Sequence, residues 1–171
     1  MKYDFIGDIH GHAHLLEKIL LKLGYHSEGN SYVASDGERK VVFLGDYINR
    51  GPQNRRVIEI VRSMTETGQA IALMGNHEYN AICYHTRSSL GNNYLRPHIS
   101  KNVDQHESFL REYQTDSAEL KETISWFRSL PIWWDDPDVR AIHACWYEPA
   151  REFLIENGLA GQQGQIITEN W

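Results

Sequence analysis

Three times in its first half the chain runs a short apolar stretch into glycine plus a carboxylate or amide, and each time a helix-like segment follows. Residues 2 to 6 are expected as a strand ending at Gly7-Asp8. Leu15, Leu16, Ile19, Leu20 and Leu23 then mark one face of a helix stopped by Gly24. After a hairpin expected at Tyr32-Val33 with a turn at Ser35-Asp36-Gly37-Glu38, Val41 to Leu44 forms a second strand ending at Gly45-Asp46. Pro52 suits the first turn of the next helix, whose inner face carries Val57, Ile60, Val61 and Met64, with Gly68 past its end. Ala70 to Met74 gives a third strand, closed by Gly75-Asn76 before another short helical stretch. Strands alternating with helices predict an α/β layered domain, and in such folds ligands sit outside the carboxyl ends of the strands. All three glycine-polar pairs fall there.

The second half is less regular. Residues 86 to 102 have no usable period and read as a long loop in which Arg87, Arg96 and Lys101 are candidate substrate contacts, a solvated connection explaining them equally well. Asp116 with Glu119 reads as a capping pair for a helix with Leu120, Ile124 and Phe127 on its apolar face, ended by Pro131. Ile132-Trp133-Trp134 and Val139 to Ile142 form a hairpin around Asp135 to Asp138, and Pro149 and Gly158 bracket a last short helix. No linker divides the chain, so residues 1–171 are expected as one domain. At 171 residues it would bury about 70% of its unfolded surface, enough for a core without staples.

Composition narrows the function classes. With 41% hydrophobic and 23% charged residues, the chain is neither disordered nor collagen-like. The longest apolar runs, Val41 to Leu44 and Ala70 to Met74, are far too short for a membrane span and no apolar leader opens the chain, so a cytoplasmic address is expected. Cys83 and Cys145 have no paired spacing and are read as buried thiols. A formal charge of -6 argues against broad capture of nucleic acid or an anionic membrane.

Four segments carry the chemistry: Gly7-Asp8-Ile9-His10-Gly11, Gly45-Asp46-Tyr47-Ile48-Asn49-Arg50-Gly51, Gly75-Asn76-His77-Glu78 and Ile142-His143-Ala144. Carboxylate, imidazole and amide oxygen are the ligand set of borderline divalent metals, and delivery from successive strand ends would converge them on one point. Asp8 or Asp46 alone would be read as a helix N-cap, but in this combination ligation is the stronger reading. His12 and His14 fall in a first helical turn and are read as neutral surface groups; His26, His85, His98 and His106 have no motif context and count as ordinary.

Together these segments resemble the calcineurin-like metallophosphoesterase superfamily, and within it the phosphoprotein phosphatase branch, whose signatures run GDxHG, GDxxDRG, GNHE and a later histidine. Order and spacing match from residue 5 to about residue 145. The resemblance implies an α/β metallophosphoesterase fold of two packed mixed β-sheets flanked by helices. It implies two divalent cations, manganese first, with iron, zinc, nickel or magnesium as alternatives. Asp8, His10 and Asp46 would ligate the first; Asp46 would bridge to a second, held also by Asn76 and His143. Such a pair clamps phosphoryl oxygens and activates water for attack on phosphorus. Arg50 resembles the arginine whose fork holds two phosphate oxygens, and His77 the general acid. Glu78 would orient the Asn-His turn instead of facing the metals.

Two positions depart from the pattern. Asn49 stands where the family has the carboxylate that pairs with the general-acid histidine, which should lower the pKa of His77. No histidine follows His143, where the family carries a further ligand, so the chain is expected to lack its last strands. The leading expectation is a metal-dependent phosphoesterase like bacterial serine/threonine phosphatases, acting on a phosphorylated substrate. Dinucleoside polyphosphate hydrolysis is the alternative that Asn49 favours, because a phosphoanhydride leaves without a proton. A non-catalytic phosphate- or metal-binding remnant is the second alternative, and a nuclease ranks low.

Overall fold

The structure is a computed structural model that describes residues 2–89, 91 and 93–167. Three parallel strands form its centre: β1 (Lys2–Ile6), β4 (Arg39–Phe43) and β5 (Ala70–Ala72), in the order β1-β4-β5. Each is delivered by one of the recurring units, with α1 (Ala13–Lys22) after β1 and α2 (Asn54–Glu66) after β4. The strand period of two sorts the buried residues. Val41 and Phe43 of β4 face the large core, with Leu16 and Leu20 of α1 and Val57, Ile60, Val61 and Met64 of α2, whereas Val42 faces the other way. On that second face β6 (Trp133–Asp135) and β7 (Arg140–Ile142) form a hairpin, and its Trp134 and Ala141 pack against Val42, Tyr3 and Ile71. The expected pair of packed sheets flanked by helices is therefore present in reduced form. Among the described residues one sheet is wholly parallel and its partner is a two-stranded antiparallel hairpin, so neither is itself mixed.

Other differences have local causes. The hairpin near residue 32 pairs β2 (Tyr25–Glu28) with β3 (Ser31–Ala34) across Gly29-Asn30, and the Ser35 to Glu38 turn leads on to β4. Leu15 and Ile19 are 46% and 44% exposed, because α1 meets the core through Ala13, Leu16 and Leu20 only. Ser117, not Asp116, caps α5 (Ala118–Ser129), its hydroxyl accepting from Leu120 N–H; the expected inner face of Leu120, Ile124 and Phe127 is buried. Cys83 is half-buried and Cys145 exposed. Residues 90 and 92 of the expected loop lie outside the described residues. No helix among the described residues is long and apolar enough to cross a membrane.

The largest difference is α4 (Ser100–Glu112), which begins inside that expected loop and follows α3 (Asn76–His85). Only His106 and Phe109 of α4 are buried, so its helical period is faint in the sequence. What holds it is tertiary. Phe109 is fully buried and stacks on Tyr113 at a ring separation of 4.5 Å. Glu112 reaches the start of α2, which has no side-chain cap of its own, and accepts from Asn54 N–H at 2.7 Å and Arg55 N–H at 2.9 Å. The last helix is α6 (Glu148–Glu156), with no buried residue. Phe109→Ala should therefore cost about 3–5 kcal/mol in urea unfolding, against within about 0.5 kcal/mol for Phe153→Ala on α6. Equal effects would contradict an anchoring role for α4.

Candidate functional site

The loops at the carboxyl edge of the parallel sheet are locked to one another. Ile9 and His10 N–H both donate to Asp46 O, at 3.0 and 2.9 Å, and Gly51 N–H donates to His10 O at 2.8 Å. Close approach explains two of the motif glycines: a Cβ on Gly45 would sit 2.5 Å from Gly75 N, and one on Gly51 would sit 2.5 Å from Gly11 O. Among the described residues five non-glycine positions take positive φ, and four of them are His10, Asp46, Asn49 and Arg50. Left-handed backbone costs roughly 1–2 kcal/mol per residue for an L side chain, so the strain gathers on the side chains that bear chemistry.

Glu78 holds this arrangement. Its fully buried carboxylate accepts from Asp46 N–H (2.8 Å), Tyr47 N–H (2.9 Å) and Gly75 N–H (3.0 Å), joining the β4 and β5 loops. Burial, seconded by the Asp46 charge, pushes its pKa up to about 7, and the three amide donors oppose that rise.

The structure brings Asp8, His10, Asp46, Asn76 and His143 to one cradle. His10 Nδ1 meets the Ile48 carbonyl at 3.0 Å, and a carbonyl only accepts, so the ring proton is there. The lone pair of Nε2 then faces Asp8 Oδ2 at 3.5 Å and Asp46 Oδ2 at 3.8 Å, and this atom is buried with no hydrogen-bond partner among the described residues. His143 repeats the pattern: Nδ1–H donates to Leu44 O at 2.8 Å, and Nε2 lies 3.5 Å from Asp46 Oδ1 and 3.0 Å from Asn76 Oδ1. Lone pairs pressed against carboxylate oxygens repel unless a cation lies among them, so the donor set fits bound divalent metal. Two triads share Asp46, namely His10–Asp46–His77 and Asp8–Asp46–His143, with donor atoms within 4.8 Å of one another in each. His77 thus joins the cradle geometrically, its Nε2 3.9 Å from Asp46 Oδ2. His12 and His14 stand outside both triads, and His14 bonds Gln53.

Beside the cradle runs a chain of polar contacts whose first link, Asn49 to His77, the sequence leads one to expect and whose continuation to His106 and His85 sequence reasoning missed. Asn49 Nδ2 lies 2.7 Å from His77 Nδ1, Asn49 Oδ1 lies 2.9 Å from His106 Nδ1, and His106 Nε2 lies 3.3 Å from His85 Nε2. With the amide placed so, His77 Nδ1 accepts, and the ring carries its proton on Nε2, the nitrogen facing the cradle. Burial lowers the pKa of His77; Asp46 opposes this, while His10, Arg50 and Arg96 add to it. His106 is pushed down to about 3 by burial and then His85, and His85 to about 4 by burial and then His98. His106 reads as ordinary in the sequence because nothing marks it; the one available signal is its place three residues before Phe109 and seven before Tyr113, on one helical face.

Arg50 is exposed and lines a cavity of about 470 Å³ that also touches Asn49, Asn76, His77 and Arg96. Of the other loop cations, Arg87 stacks over Tyr94 at 5.3 Å and Lys101 is exposed.

The depressed histidines set a pH dependence. Their folded pKa values lie below the ordinary 6.5, so the unfolded chain binds more protons and stability, complete above pH 6.5, falls as pH drops toward 4. In metal-free protein, His106→Asn should reduce this slope by nearly one proton between pH 6 and 4, read from urea midpoints. Parallel curves for variant and wild type would contradict the buried neutral imidazole.

The family model for calcineurin-like phosphoesterases matches residues 1–162. The bis(5'-nucleosyl)-tetraphosphatase PrpE (asymmetrical) of Oceanobacillus iheyensis is 42% identical over 77 residues, which is 45% of this chain and 30% of that protein. Its namesake from Anoxybacillus flavithermus is 43% identical over 77 residues, 45% of this chain and 31% of the relative. The matched stretch thus spans less than a third of these relatives' length. Among solved structures, a cold-active protein-tyrosine phosphatase of a psychrophilic Shewanella species aligns with a TM-score of 0.56 and 21% identity over 93% of this chain and 46% of that one. A metallophosphoesterase from Sphaerobacter thermophilus aligns with a TM-score of 0.50 and 23% identity over 82% of this chain and 45% of the other. At such identities the likeness concerns the fold alone. The match across nearly the whole chain makes this protein a member of the calcineurin-like phosphoesterase family.

Proposed function

We propose that this chain holds two divalent cations, manganese foremost, through Asp8, His10, Asp46, Asn76 and His143, and hydrolyses phosphoanhydride bonds of dinucleoside polyphosphates. The observation that carries the reading is the buried His10 Nε2, a lone pair without a partner between two carboxylates, in a cradle where Asp46 is shared by two donor triads. Bound there, the cations would screen the phosphate charge and acidify an attacking water.

The remaining steps belong to the chain's own side chains. Arg50 lines the cavity and among the described residues pairs with no carboxylate, leaving its planar fork available to two phosphoryl oxygens. His77 offers its Nε2 proton to the leaving oxygen, the opposite nitrogen being occupied by the Asn49 amide. An amide stabilises an imidazolium less than a carboxylate would, so proton donation at neutral pH is weak. General acid assistance is typically worth about 10²–10⁴-fold, and it matters most for a poor leaving group such as a serine alkoxide. A nucleotide leaves from an anhydride without it. Asn49 therefore favours the polyphosphate substrate over the phosphoprotein, in line with the names of the relatives that match over 77 residues.

A non-catalytic phosphate-binding module is the second reading, favoured by the same Asn49. With Mn²⁺, the protein should hydrolyse p-nitrophenyl phosphate and diadenosine tetraphosphate, and chelator or Asp46→Asn should abolish both activities. Asn49→Asp should raise the rate on a phosphoserine peptide at least tenfold more than on the tetraphosphate. Activity indifferent to chelator and to Asp46→Asn would overturn the metal-dependent reading; phosphate binding without turnover would favour the module.

A further inference from the structure

The cavity beside the cradle holds a second arginine that forms no ion pair among the described residues. Arg39, Arg55, Arg56, Arg62, Arg111, Arg140 and Arg151 each form an ion pair with a carboxylate. Arg50, Arg87, Arg96 and Arg128 do not among the described residues; Arg87 lies over Tyr94 and Arg128 bonds Thr86, whereas Arg50 and Arg96 both line this one cavity. Arg96 is nonetheless held in place. Its Nη2 donates to Gln105 Oε1 at 2.6 Å and to Asn102 Oδ1 at 3.2 Å, both neutral amide oxygens, and its backbone N–H donates to Cys83 O at 3.0 Å at the end of α3. Neutral acceptors orient a guanidinium without neutralising it, and a fixed, uncompensated guanidinium suits an anion. The cavity's acidic groups weigh less: Glu107 is committed to Arg111 at 2.6 Å, and Asp104 is exposed to solvent. At about 470 Å³ the space is of the size that takes a small-molecule ligand, with room for more than one phosphate.

We infer that Arg96, with Arg50, forms a second phosphate position next to the candidate metal centre, so that the cavity selects a chain of linked phosphates over a lone phosphomonoester. This rests on the reading of the cradle as a phosphoesterase centre and specifies the substrate class for it. The Arg50 fork would take the phosphate at the cradle, and Arg96 the next one along the chain. The residue separates polyphosphates from monoesters by charge, without contributing to bond cleavage.

The test is calorimetric titration of the protein with orthophosphate and with inorganic tripolyphosphate, at one fixed free Mn²⁺ concentration. Wild type should bind tripolyphosphate at least tenfold more tightly. Arg96→Gln should lose about tenfold in tripolyphosphate affinity and less than about twofold for orthophosphate, the size expected for one charge-assisted contact. Gln105→Glu keeps the arginine and its fold but pairs it with a carboxylate, and should give the same selective loss should Arg96→Gln fail to fold. Equal affinity for the two anions in wild type, no loss in either variant, or equal losses for both anions would overturn the second position. Orthophosphate binding that persists in those cases leaves the phosphoesterase reading standing, whereas Mn²⁺-dependent binding of neither anion would overturn both.

Discussion

A single buried carboxylate sets the geometry of the site. Glu78 accepts three backbone N–H groups from two loops that belong to different strands, and through them it places Asp46. Asp46 sits at φ 56°, a conformation an L residue adopts only when its surroundings compel it. Its backbone carbonyl accepts from Ile9 and His10, and its side chain accepts from His77 N–H at 3.0 Å, so the strained residue is gripped from both neighbouring loops at once. Removing Glu78 would leave three buried donors unpaired, each costing about 1–3 kcal/mol. The candidate centre is thus a property of how three strand ends are tied together.

A second tie is polar and runs from α4. His106 and His85 are kept neutral by burial, and His106 bonds the same Asn49 amide that reaches His77. An amide has a donor end and an acceptor end, so its orientation decides which His77 nitrogen carries the proton. A carboxylate at position 49 would accept from both rings and would favour a charged His77 instead. The chain thus joins a cation-ready cradle to a weak proton donor, a combination suited to a leaving group that departs easily. α4 also steadies the loop from its other end, since Glu112 caps α2 while His106 holds Asn49.

Much of this was legible from residues alone. The three strands, the inner face of α2 and the hairpin after Pro131 follow from apolar periodicity, and the convergence of Asp8, His10, Asp46 and Asn76 follows from parallel strands sharing one carboxyl edge, while His143 arrives from the end of β7 in the second sheet. The role of Glu78 was readable in outline, because a third carboxylate facing the metals would repel phosphate. α4 was not legible: its sequence is polar, and its place is fixed by Phe109, His106 and Glu112 through contacts distant along the chain. For the same reason His106 passed as an ordinary histidine, and Arg96 could not be told from Arg87 until the structure set one in the cavity and the other on Tyr94. Leu15 and Ile19 fit the helical period yet stay exposed, since periodicity reports which residues share a face and not what lies opposite.

Equilibrium Mn²⁺ titration of the purified chain, followed by electron paramagnetic resonance, tests the central claim most directly. Two ions per chain with the spectrum of a coupled pair, and loss of that coupling in Asp46→Asn, is the predicted result. Uncoupled binding in wild type, or a coupled pair that survives Asp46→Asn, would contradict a centre built around one shared carboxylate.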